Sequence, residues 1–258
     1  MKILFLGDIV GKLGRQTVNK VLPELKKNLK IDLVIANGEN LAHGKGVTLK
    51  TLNEAQSAGI DLFTSGNHIW QKKEAQTVLE KSEIILRPAN YPPGVPGQGF
   101  ILKSILKQQV LIINLIGRVF MKQQVDCPFR KFDEIIKKFP KIKNVIIDFH
   151  AEATSEKQAL AWYVKDRAAL LCGTHTHIPT ADLRIMNDRL GYITDIGMVG
   201  ARDSILGVEK DVILKKFLTA LPEEHKMVDK GPAIFNAIFV EIKAGKTIKI
   251  QRIDREIN

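Results

Sequence analysis

Apolar residues in this chain recur in two periods. Short runs such as Lys2–Asp8 (KILFLGD), Asp32–Asn37 (DLVIAN) and Asp61–Asn67 (DLFTSGN) read as strands. Between them, residues 15–30 carry Val18, Val21, Leu22 and Leu25 at helical spacing, and residues 48–59 and 69–82 continue the helical period. Such βα units build a largely parallel sheet with helices on its faces. The Pro- and Gly-dense stretch 87–99 predicts a surface loop. Beyond it the rhythm changes, with strands over 100–107 and 108–116, a helix over 129–139, a strand over 144–150, and a helix over 155–164. A strand over 189–195 and a helix over 208–221 follow, then strands over 233–243 and 247–254 joined by a hairpin around Ala244-Gly245-Lys246.

The length of 258 residues fits one domain spanning 1–258, and no internal repeat or linker divides it. An apolar share of 45% and a charged share of 26% describe a packed globule and exclude a disordered chain. No apolar run approaches the ~20 residues of a spanning helix. The first residues enter a strand directly and lack the regions of a signal peptide, so a cytoplasmic location is expected. Cys127 and Cys172 stand outside any Cys-x-x-Cys pair and are expected to be reduced. A net charge of +11 biases the protein toward anions such as phosphorylated metabolites or RNA. Most of that excess lies on Lys residues of amphipathic stretches, where a solvated helix face explains it. No compact Arg-rich or aromatic-interleaved block marks an RNA surface.

Polar residues at the ends of the apolar runs change the picture. Asp8 follows ILFLG, Glu39 and Asn40 follow LVIANG, and Asn67 and His68 follow LFTSG; His150 ends VIIDF, and His175 and His177 follow ALLCGT. The C-terminal ends of parallel strands share one rim, where ligands bind, so folding would gather these residues in one crevice. Gly7, Gly38, Gly66 and Gly173 precede them and permit close backbone approach. Taken singly, each group has an ordinary alternative. Asp8 can be a cap, Glu39-Asn40 and Gly66-Asn67 can be turn chemistry, and His150 can be a satisfied core histidine. In THTH, His175 and His177 project to the same side of an extended chain and can address neighbouring ions. Together, two carboxylates, two amides and three imidazoles supply oxygen and nitrogen donors without thiolate, a set suited to Mn, Fe or Zn. Other catalytic motifs fail. GENLAHGKG spaces Gly38 one residue too far from Gly44-Lys45 for a nucleotide-binding P-loop, and Gly46 replaces its Ser or Thr. No dinucleotide fingerprint, His-Glu-x-x-His or Gly-x-Ser-x-Gly occurs.

With GDIVG, NGEN, GNHIW, DFHAEATSEK and GTHTH in that order, joined by HGKG, RPANYPPG and TDIGM, the chain resembles the metallo-dependent phosphoesterase superfamily and, within it, the YmdB-like bacterial branch. The resemblance implies an α/β fold, a four-layer αββα sandwich, and phosphodiesterase activity with 2′,3′-cyclic nucleotides as the substrate class. It also implies a pair of divalent or mixed-valence ions, with iron favoured over manganese or zinc. Asp8, Glu39, Asn40 and His177 would serve one ion, with Glu39 bridging to a second held by Asn67, His150 and His175. Two positions depart from the wider superfamily: Asp8-Ile9-Val10 stands in place of its Asp-x-His, and Glu39 in place of its bridging Asp.

The expected reaction is attack on phosphorus by water that the metal pair activates, with His68 protonating the leaving alkoxide. Asp148 and Glu152 flank His150 and would orient ligands, unless Asp148 is purely structural. His43 and Lys45 in HGKG are candidate phosphate contacts or a polar surface turn. Two alternatives remain: a phosphomonoesterase or nucleotidase using the same ions, and a regulatory RNA-binding or protein-interaction module with a structural metal site.

Overall fold

A computed structural model describes Met1–Asn258. The first strand, β1 (Lys2–Ile9), is buried along almost its whole length. It leads into helix α1 (Gly11–Leu29), strand β2 (Leu33–Asn37), helix α2 (Leu49–Ser57), strand β3 (Leu62–Thr64) and helix α3 (Ala75–Lys81). Helix α2 starts where Thr48 and Thr51 form a reciprocal capping box, each side chain accepting from the other's backbone N–H. Strands β4 (Phe100–Ile105) and β5 (Gln108–Ile116) form a hairpin, followed by α4 (Pro128–Lys138), β6 (Asn144–His150), α5 (Thr154–Val164) and β7 (Leu170–Thr174). The chain closes with β8 (Arg184–Met186), β9 (Leu190–Ile193), β10 (Met198–Ala201), α6 (Lys210–Thr219), β11 (Ala233–Lys243) and β12 (Lys246–Ile257).

These strands make two six-stranded sheets, ordered β12-β11-β10-β1-β2-β3 and β4-β5-β6-β7-β9-β8. Side-chain alternation explains why both are covered on both faces. In β1, Leu4 and Leu6 pack with Val18 and Leu22 of α1, while Ile3 and Phe5 point the other way. In β5, Leu111, Ile113 and Leu115 pack with Phe132 of α4 and Leu160 of α5, whereas Val110 and Ile112 join Ile3 and Phe5 in a shared core between the sheets. Four layers result: α1, α2 and α3, then two sheets face to face, then α4 and α5. Helix α6 stands apart, with only Ile213 buried. No helix is long and apolar enough to cross a membrane, and both Cys127 and Cys172 are free.

Several sequence-based boundaries are corrected. The helix expected over 69–82 begins only at Ala75, because residues 67–74 turn irregularly to send Asn67 and His68 toward the crevice. The short strands β8 and β10 fall outside the predicted elements, since three or four residues are too few to show a period. Strand β12 continues three residues past the expected Asp254.

The inter-sheet core contributes to stability beside the two helix–sheet cores. Phe5→Ala, at a fully buried position, is expected to cost about 3–5 kcal/mol, read as a lower urea midpoint with unchanged slope. Leu218→Ala, at a position 85% exposed, should stay within about 0.5 kcal/mol of the parent.

Candidate metal centre

The parallel strands of the two sheets end on one rim. Asp8 lies in the last turnward residues of β1, Glu39 and Asn40 just beyond β2, and Asn67 and His68 just beyond β3. Facing them from the second sheet, His150 ends β6 while His175 and His177 follow β7. All seven predicted donors and His68 therefore meet at the seam of the sandwich, where Glu39, Asn40, His68, His175 and His177 line a cleft of about 430 Å³, within the range of small-ligand sites.

One cluster forms around His150. Its Nε2 lies 3.2 Å from Glu39 Oε1, 2.9 Å from Asn67 Oδ1 and 3.0 Å from His175 Nδ1. Glu39, His150 and His175 each present a ligand atom within 4.8 Å of the others. The second cluster surrounds the Asn40 amide, whose Nδ2 stands 3.3 Å from Asp8 Oδ1, 3.3 Å from Glu39 Oε1 and 3.2 Å from His177 Nε2. Its Oδ1 faces His68 Nδ1 at 3.0 Å. Glu39 is thus common to both clusters. Its Oε2 also accepts from the His68 backbone N–H at 2.8 Å.

The histidines after β7 are not on an extended chain as predicted. His175 and His177 have φ of 105° and 65°, a backbone region that non-glycine residues seldom adopt and that stores strain. Their convergence comes from this left-handed path instead of strand alternation. The path is pinned from behind: the His175 N–H donates to Asp8 Oδ2 at 3.1 Å, and the Thr176 N–H to Asp195 Oδ2 at 3.0 Å. Asp195 is itself held by the fully buried Lys157 at 2.8 Å, whose Nζ also donates to the Thr174 carbonyl at 2.9 Å. Sequence reasoning missed this pair. Asp195 appeared only within TDIGM, although an acid at the end of an apolar run is the same signal that marked Asp8.

Behind His150, its Nδ1 lies 2.9 Å from Thr174 Oγ1, which in turn donates to Asp148 Oδ1 at 2.8 Å. Asn37 Nδ2 and Thr64 Oγ1 donate to the other Asp148 oxygen. Asp148 thus reaches His150 through Thr174, and Glu152 reaches His175 Nε2 directly at 2.9 Å. His43 and Lys45 sit outside the donor clusters; Lys45 lines the cleft and His43 an adjoining hollow.

Among the chain's own groups the charges do not balance. Burial raises the Asp8 carboxyl well above its usual range, and Glu39 adds to the rise although His150 opposes it. Burial would also raise Glu39, but His150 and His68 hold it down at about 2. His150 is lowered by burial yet carried up to about 9 by Glu39, Asp8 and Asp148. Burial lowers His177, and burial with His150 nearby takes His175 down to about 3. Three buried acids, Asp8, Glu39 and Asp148, therefore act on essentially one protonated imidazole, beside two neutral imidazoles and two amides. That donor set fits divalent cations, which supply the missing positive charge.

The arrangement also matches known proteins. The model of the YmdB-like protein family covers residues 4–253. The chain belongs to the YmdB-like family. The Bacillus subtilis protein named 2′,3′-cyclic-nucleotide 2′-phosphodiesterase is 43% identical over 256 residues, spanning 98% of this chain and 96% of that protein. A crystal structure described as a novel phosphatase from Mycoplasma pneumoniae superposes with a TM-score of 0.94 at 35% identity, covering 99% of this chain and 93% of the other. A calcineurin-like phosphoesterase of B. subtilis shares the fold alone, with a TM-score of 0.59 at 11% identity over 98% of this chain and 90% of the other. The αββα sandwich of this YmdB-like chain is the fold also seen in that calcineurin-like phosphoesterase.

Gly66 shows how tightly the cage is built. A Cβ on it would stand 2.1 Å from the His150 ring, so Gly66→Ala must displace that imidazole. The expected outcome is a folded variant with reduced metal per chain, read by elemental analysis beside an unchanged far-UV circular dichroism spectrum. Full metal content in Gly66→Ala would remove His150 from the metal site.

Proposed function

We propose that the chain is a dinuclear metal-dependent phosphodiesterase acting on 2′,3′-cyclic nucleotides, with Asp8, Glu39, Asn40 and His177 around one ion and Glu39, Asn67, His150 and His175 around the other. The observation that carries this reading is the position of Glu39 between the two donor clusters, its carboxylate within 3.3 Å of Asn40 and 3.2 Å of His150. The substrate class rests on the name of the B. subtilis relative. Oxygen and nitrogen donors suit iron, manganese and zinc alike, and the preference for iron rests on the resemblance to the YmdB-like branch; elemental analysis of protein purified without added metal tests the choice.

When bound, the metal pair would neutralise phosphate oxygens and make water acidic enough to attack near neutral pH. The chain's residues do the rest. The strand-end backbone and the Lys157–Asp195 pair fix the donors before substrate arrives, so little reorganisation is needed during reaction. Asn40 can offer its Oδ1 to the donor cluster, because an amide's oxygen and nitrogen exchange places on a 180° rotation. Glu39 Oε1, 3.5 Å from His68 Nδ1, then accepts the Nδ1–H of the imidazolium, and the second ring proton sits on Nε2. His68 is half-buried and lines the cleft, where Nε2–H can be delivered to a departing ribose oxygen. Burial lowers its pKa while Glu39 raises it, and a bound phosphate anion favours the protonated form further.

Leaving-group dependence tests the acid role. His68→Ala should keep its metal and lose about 10²–10⁴-fold in turnover of adenosine 2′,3′-cyclic phosphate. Its loss on bis(p-nitrophenyl) phosphate should be much smaller, because p-nitrophenolate departs without a proton. Equal losses on both substrates would discard the general acid. Parent protein that bound metal but cleaved neither diester, or only 5′-mononucleotides, would overturn the phosphodiesterase itself.

A further inference from the structure

The cleft does not end at the metal donors. Beyond them it runs between the HGKG loop and a segment reaching from Ile205 through α6 to Met227. A second hollow of about 410 Å³ adjoins it, and Lys45, Lys216, His225 and Met227 line both. Three of those four residues are basic. Lys45 and Lys216 have no carboxylate partner; Glu223, at the edge of the second hollow, is taken by Lys215 at 2.6 Å. Burial lowers the His225 pKa, and Lys45 and Lys216 lower it further, so His225 stands as a neutral hydrogen-bonding imidazole within electrostatic reach of two lysine cations that line the same walls. Uncompensated like charges repel, and several brought together at the mouth of a cleft form an anion site. The metal donors already account for the scissile phosphate, so these cations face a different part of the substrate. The same cleft is also lined by apolar Leu206, Ile213 and Phe217, the last 76% exposed. An exposed ring beside a cationic rim suits a nucleobase and its sugar phosphate.

We propose that Lys45, Lys216 and His225 bind a phosphate on the 5′ oxygen of the nucleotide whose 2′,3′-cyclic phosphate sits at the metal centre. This rests on the phosphodiesterase reading and narrows it. The preferred substrate carries two phosphates, the second being either a terminal 5′-phosphate or the internucleotide link at an RNA 3′ end. HGKG thereby gains a role that the metal centre leaves open, since the positive φ of Gly44 and Gly46 bends that loop and sets Lys45 at the cleft.

Kinetics on three substrates test it: adenosine 2′,3′-cyclic phosphate, its 5′-phosphorylated form, and a diadenosine ending in the cyclic phosphate. At least one of the two doubly phosphorylated substrates should show a KM lower by about tenfold, the scale of one charge-assisted phosphate contact. Which of them gains distinguishes a terminal phosphate from an RNA link. In the Lys45→Ala/Lys216→Ala/His225→Ala variant that ratio should fall toward one, with thermal melting checking that the variant folds. Calorimetry provides a readout apart from turnover. Parent protein should bind adenosine 3′,5′-bisphosphate about tenfold tighter than adenosine 3′-monophosphate, a gap that high salt narrows and the triple variant lacks. Equal affinities in the parent, or an undiminished gap in the variant, would overturn the subsite. Should bis(p-nitrophenyl) phosphate be cleaved while cyclic nucleotides are not, the substrate class fails, and the calorimetric gap still decides for or against the basic subsite.

Discussion

Placing two carboxylates, Asp8 and Glu39, out of water within reach of one amide is the constraint from which the rest of this structure follows. Each buried acid costs several kcal/mol unless positive charge or hydrogen bonds meet it. The chain offers only part of that compensation. The His150 proton and the backbone N–H groups of His68 and His175 answer some of the charge, and Asp8 stays well above its ordinary pKa. A fold selected for stability alone would replace such a pair with apolar residues. On the proposed reading cations complete the pair, and metal binding and folding would then be coupled through the same carboxylates.

The sandwich explains how such a cluster can exist at all. Strands covered on both faces can spend every side chain but the last few on packing, and only their ends are free to carry polar groups. Two sheets face to face bring two sets of such ends together, so that Asp8, Glu39 and Asn67 from one meet His150, His175 and His177 from the other. This was legible in the sequence because the signal is local twice over: an apolar run identifies the strand, and the polar residue after it identifies the rim. The layer order follows from the same alternation, with Leu4 and Leu6 facing helices and Ile3 and Phe5 facing the other sheet.

What was not legible has a physical reason in each case. The left-handed backbone at His175 and His177 is imposed by contacts to Asp8 and Asp195, residues 167 and 19 positions away, and no local propensity announces it. Lys157 reads as one polar residue on an amphipathic helix, yet it is fully buried against Asp195. Its role appears only once α5 packs behind β7. The late start of α3 belongs to the same class, since the turn that delivers Asn67 and His68 overrides a helical period.

A division of labour follows from where these features lie. The proposed metal donors come from strand ends locked between two cores, while the cleft's outer wall comes from HGKG and from α6, which buries one side chain. Position errors matter most for the donors, where ligand geometry is fixed by the ion. They matter less for a wall that need only offer cations and an apolar surface to a ligand with its own flexibility. The wall can therefore change by loop substitution without disturbing the cage, and a shared donor set can serve phosphoesterases of different specificity. On the proposed reading, Lys45, Lys216, Phe217 and His225 set which ester this chain prefers, while Asp8, Glu39 and the imidazoles carry the cleavage itself.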